Sequence, residues 1–230
     1  MAFKRTVSPM RIPEGDRLAG MLAGIGCALA VDPIRDAHIE DALVGAVQAG
    51  MEGDDLRSLG LAVQWIGLHG RVVNVDRLTR VAAHLPERSR ACWAAVATWM
   101  APDPRWRRLA RMGVPTDLLL VGNAFQVGRR GEDARFAGSC LRVPAGVLRE
   151  REGDVLTAEA LARVHLGYRY RLLIGPTYRA DMWAALARSP GLSPSALARC
   201  TYGAFATAWQ VVRDAPLVGG GLPGAPGQPG

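Results

Sequence analysis

The chain has 230 residues, 49% of them hydrophobic, and a net charge of +7. That is enough apolar material for a folded, soluble protein of two small domains, and it excludes a disordered chain. The four cysteines, Cys27, Cys92, Cys140 and Cys200, show no C-x-x-C spacing and no nearby histidine pair, so metal sites and a disulfide framework are not expected, and buried free thiols of a reducing cytoplasm are.

The first element is the apolar run Leu18 to Val31, behind Lys4, Arg5, Arg11 and Arg17. It has the outline of an export signal, but Glu14 and Asp16 directly precede it and it is short for a bilayer span. Leu18, Met21, Leu22, Ile25 and Leu29 form a helical stripe suited to a core, and Gly20 and Gly24 would let another helix approach closely. No membrane association is expected. A helical bundle follows. Asp32-Pro33 starts a helix with Ile39, Ala42, Leu43, Ala46 and Val47 inward, ending near Gly50. The next runs from about Asp55 to His69 with Leu56, Leu59, Val63 and Ile66 inward. Asn74 caps a third that carries Val75, Leu78, Val81 and Ala82. A fourth carries Cys92, Ala95, Val96 and Trp99 until Pro102 stops it. Asp103 and Pro104 open a short basic helix to Gly113, with Trp106, Leu109 and Met112 turned to the core. Residues 1–113 are read as one bundle domain, available for a homodimer or protein partner.

Between residues 114 and 156 the helical period is lost. Leu118 to Val121, Phe125 to Val127 and Cys140 to Val143 read as short strands, with a turn at Gly128 to Asp133 whose Arg129-Arg130 tip could meet a phosphate. A helix from about Thr157 to Leu173 has Leu161, Val164 and Tyr168 inward, with Arg163, Arg169 and Arg171 supplying charge along it.

The C-terminal segment carries the clearest functional signal. Ser193 can cap a helix and Pro194 suits its first position, with Leu197 and Ala198 inward. A turn at Thr201-Tyr202-Gly203 follows, where Gly203 can supply the unusual backbone angle. A second helix from about Ala204 to Asp214 places Ala204, Ala208, Val211, Val212 and Ala215 on one side and Thr207, Gln210, Arg213 and Asp214 on the other. Upstream, Thr177 caps an opening helix that ends near Leu186. This pattern, over about residues 177–215, resembles the winged helix-turn-helix of bacterial transcription regulators of the multiple-antibiotic-resistance repressor family. Leu197, Ala198, Thr207, Ala208 and Val212 fall on the expected positions. No second wing strand is visible in the Gly/Pro-rich sequence from Pro216 onward, and residues 218–230 read as a disordered tail.

The expected fold class is therefore mainly α: an N-terminal bundle, a small β element, and a C-terminal three-helix module over 157–217. The resemblance implies sequence-specific binding of double-stranded DNA and transcriptional regulation. Gln210 would pair with adenine, and Arg213 would reach guanine or phosphate. Ser195 and Thr207 would contact the backbone or a base edge, and Arg179, Arg188 and Arg199 would hold phosphates. Charge agrees: residues 105–230 hold 17 arginines against 9 acidic residues, whereas residues 1–104 hold 11 basic against 12 acidic. Lys4 is the only lysine, so part of the arginine excess reflects a GC-rich coding sequence. An antitoxin or defence-system regulator would look the same at this level.

The alternative is a helical docking module. Phe205 and Trp209 lie one turn apart and form a second apolar stripe with Val212. Burial of that stripe would favour DNA binding, and its exposure would favour a protein partner. Enzyme motifs are missing: His38, His69, His84 and His165 stand alone, and there is no H-E-x-x-H, G-x-S-x-G or phosphate-binding glycine loop. No enzyme activity, cofactor or metal is expected.

Overall fold

Helix α2 (Ile39–Glu52) is the element around which the first half of the chain is built: α1 (Gly15–Gly24), α3 (Leu56–His69), α4 (Val75–Ala82) and α5 (Glu87–Trp99) all pack on it. The structure is a computed structural model and describes residues 12–113, 118–122 and 124–218. Its architecture is mainly α with a small β element. The described residues form two compact units, Ile12–Ala158 and Glu159–Val218. No described helix is long and apolar enough to cross a membrane.

In the first unit the expected apolar faces are inside. Ile39, Ala42, Leu43, Ala46 and Val47 of α2 are buried, as are Leu59, Val63 and Ile66 of α3 and Val75, Leu78, Val81 and Ala82 of α4. Asp55 caps α3 by accepting from Ser58 N, and Asn74 caps α4 by accepting from Arg77 N. Trp65 and Trp93 are fully buried, and the Trp65 indole N–H donates to Ile25 O at 2.8 Å. A buried charged group ties α4 to α2. Arg77 donates to Glu40, Asp41 and His38, while Glu40 Oε1 accepts from Asn74 N at 2.8 Å.

Several expectations change here. The helix expected at Asp32-Pro33 begins only at Ile39, because the intervening loop is laid along α1. Ile34 N donates to Gly20 O at 2.8 Å, and the Ile34 carbonyl occupies the place of a Gly24 Cβ. Gly20 and Gly24 thus admit a loop, not a helix. The apolar run leaves the helix at Gly24, and Gly26 (φ +93°) turns it so that Cys27 bridges Val155 in antiparallel fashion.

The basic segment forms a 3₁₀ turn (Pro104–Trp106) and α6 (Arg107–Ala110), capped by Asp103. Trp106 and Leu109 are buried and Arg107, Arg108 and Arg111 are exposed, so its cations form a solvated face. The strands β1 (Leu118–Leu119) and β2 (Leu141–Arg142) pair in parallel, with α7 (Ala124–Arg130) in the connection. The strand expected at Phe125 to Val127 is therefore part of a helix. Val127 is buried but Phe125 is 74% exposed, so the two apolar side chains of this segment do not share one core face. Arg129 and Arg130 are exposed at the end of α7. The strand-and-turn region belongs to the same unit as the bundle, where Cys140 Sγ donates to Ala91 O at 3.3 Å.

All four cysteines are free. Cys27 and Cys92 are buried, and burial pushes each thiol up to about 12. Cys140 is half-buried. Cys200 is exposed, against expectation, because it closes a helix on the side away from the core.

Candidate nucleic-acid interface

The second unit contains most of α8 (Ala158–Val164), then α9 (Leu166–Ile174), α10 (Tyr178–Arg188), α11 (Pro194–Cys200) and α12 (Phe205–Val218). The single helix expected over 157–173 is two helices. His165 is extended, and its Nδ1 accepts from Tyr168 N at 2.9 Å to cap α9. This break leaves Val164 on the outside while Leu161 and Tyr168 are buried. Of the arginines expected to lend surface charge here, Arg171 is buried in a bidentate pair with Asp181 of α10, at 2.7 and 3.0 Å. Arg169 donates to Ala162 O and Arg163 O, closing the end of α8.

Thr177 caps α10 by accepting from Ala180 N, and Ser193 caps α11 by accepting from Ala196 N at 3.2 Å. Pro194 stands in the first turn of α11. α10 is the centre of this unit: Ala180 through Leu186 are all buried, and they share a core with Leu197 and Ala198 of α11 and Ala208 and Val211 of α12. Small residues at these crossings let the three helices approach closely.

The turn between α11 and α12 differs from the expected one in a specific way. Tyr202, not Gly203, takes the left-handed conformation, with φ +57°. Gly203 N donates to Ala198 O at 3.0 Å and Tyr202 N to Arg199 O at 3.4 Å, the two bonds of a Schellman closure. Thr201 is buried and donates its hydroxyl to Leu197 O at 2.7 Å. A Cβ at Gly203 would meet Met182 Cε of α10 and lie 3.3 Å from Tyr178 Cβ, so a larger residue there would have to displace the Met182 side chain.

α12 turns Ala208 and Val211 to the core, with Val212 and Ala215 half-buried beside them. Gln210 and Arg213 are exposed, and Thr207 lies at the rim, half-buried. The helix continues through Pro216 to Val218, beyond the end expected at Asp214. Val218, expected as the first residue of the tail, is the last of α12, and residues 219–230 lie outside the described residues.

The predicted site residues fall into two groups. Ser195 and Arg199 are exposed on α11, and Arg188 is exposed at the end of α10. Partial desolvation of its sulfur raises the Cys200 thiol, and the Arg188 and Arg199 guanidinium groups oppose that shift in part. The second group is partly neutralised. Asp214 pairs with Arg213 at 2.9 Å and with Arg179 at 3.5 Å. The Arg213 guanidinium also sits over the Trp209 ring, 5.2 Å from its centroid. The helical pattern places Asp214 on the open side but does not show its pairing with Arg179, which lies on a different helix.

Phe205 is 57% and Trp209 48% exposed. Their stripe is therefore on the surface of this unit's helices, the outcome that favours docking by the criterion stated above. Among the described residues no group of three His, Cys, Asp or Glu side chains is placed to hold a metal ion. No protein-family model matches the chain, and no curated protein or solved structure matches it either.

Proposed function

We propose that α10, α11 and α12 bind double-stranded DNA, with α12 in the major groove, and that the protein regulates transcription. The observation that carries this reading is the α11–turn–α12 geometry. A Schellman closure joins α11, capped by Ser193, to α12 on the surface of α10, and the face of α12 opposite its core is open and carries Gln210 and Arg213. Ser195, Arg188 and Arg199 are exposed on the preceding helices, where phosphate contacts would orient α12.

The test is fluorescence anisotropy of the full chain with a labelled random-sequence duplex across a salt series. Affinity that falls linearly in log-log form supports the reading, and absence of binding at low salt refutes it. Arg199→Ala is expected to weaken all duplexes alike and lower the salt slope by about one. Gln210→Ala is expected to relax sequence preference. Equal losses from both variants on specific and random duplexes would refute these roles.

A second reading has a specific observation in its favour. The exposed Phe205 and Trp209 are suited to a protein partner, and the module would then be a docking unit. Binding to a partner with no measurable DNA affinity is its distinguishing outcome.

A further inference from the structure

The first turn and a half of α12 presents Phe205, Ala206 and Trp209 outward, away from the core made by Ala208 and Val211. Trp209 is held under the Arg213 guanidinium, and Arg213 is in turn bonded to Asp214 through Nε at 3.0 Å and Nη2 at 2.9 Å. The end of the helix that would lead into a groove is thus apolar, and its polar reader, Gln210, comes after it.

Major-groove base edges offer hydrogen-bond donors and acceptors and one apolar group, the C5 methyl of thymine. An apolar leading surface therefore has one complementary feature to meet there. We infer that α12 reads thymine methyl groups, with Phe205 and the adjoining Ala206 packed on them and Gln210 pairing with adenine, so that the protein prefers sites rich in A·T pairs. The inference rests on the DNA-binding reading given above and adds the base class that it recognises. It also gives the exposure of Phe205 a use on DNA, where a polar contact surface would leave that exposure unexplained.

The test begins with selection of a duplex from a randomised library by the full chain. The selected duplex is resynthesised with deoxyuridine for thymidine, a change that removes only the methyl groups. The expected result is enrichment of A·T pairs and a loss of about fourfold in affinity per contacted methyl. Phe205→Ala, at an exposed position where alanine favours the helix, is expected to bind the thymidine duplex more weakly and to lose less on the change to uridine. Gln210→Ala is expected to keep the full uridine penalty.

Equal affinity of the wild-type chain for both duplexes would overturn the inference, as would an unchanged uridine penalty in Phe205→Ala. Neither outcome touches the DNA-binding reading, which the salt titration on random duplex tests separately. Failure to bind any duplex would remove both.

Discussion

At Gly24 the Ile34 carbonyl takes the space that a side chain would need, so Gly24→Ala must push the loop off α1. The expected loss is about 3 kcal/mol, the upper range for overpacking a tight site, seen as a lower urea midpoint for tryptophan fluorescence. Gly20→Ala meets the Ile34 side chain at 3.1 and 3.2 Å and Asp32 O at 3.3 Å, and should cost less. Arg171 and Asp181 illustrate a different kind of single-residue effect. Asp181→Ala leaves a buried guanidinium without its carboxylate, and the second unit should lose about 3 kcal/mol. The double variant Arg171→Met, Asp181→Leu should recover part of that loss. The caps at Asn74, Thr177 and Ser193 were legible in the sequence, because a cap bonds its own backbone three residues on. Arg171 read as surface charge because its partner is ten residues away on the next helix.

Among the elements, α12 joins the expected face with an unexpected neutralisation. Asp214 offsets both Arg179 and Arg213, so it opposes any phosphate contact by either. On the DNA-binding reading, Asp214→Asn should tighten binding to random duplex and steepen the salt slope by about one. An unchanged slope would show that neither arginine meets a phosphate. The faces of α2, α3, α4 and α12 followed from helical spacing, which identifies a buried stripe without reference to its partner. The segments that spacing misread are short: Phe125 to Val127 has too few apolar residues to distinguish a strand from a helix, and the structure makes it part of α7. The 157–173 pattern was continuous, yet the His165 side chain caps a new helix within it.

For the molecule as a whole, acid is expected to act on the first unit through His69. Its ring is buried, with Nε2 3.0 Å from Leu156 O. Desolvation lowers its pKa from the usual 6.5; the Leu156 carbonyl opposes this and Arg71 adds to it. The unfolded chain therefore takes up the proton first, and stability from this group is complete above about pH 6.5 and falls as pH drops below it. Urea midpoints of the first unit at pH 7.5 and 5.5 should show the loss, and His69→Gln should reduce the difference. The Arg57 pairing that lowers the Asp154 pKa, and the Arg105 pairing that lowers that of Asp103, act in a separate window, lost only as pH falls below about 3.8.

The sequence by itself determined that the chain is mainly helical, where most helices begin, and which side of each faces inward, because these depend on spacing and local capping. It also located the α11–turn–α12 unit, down to the capping Ser193 and the inward Leu197 and Ala208. Tertiary structure decided the rest. Tyr202 takes the left-handed angle of the turn, and at Gly203 a side chain would displace Met182 of α10. The Ile34 loop, not a helix, fills the Gly20–Gly24 groove. Only three-dimensional packing could place Phe205 and Trp209 outside the core, since a helix with two apolar stripes cannot bury both against one neighbouring layer.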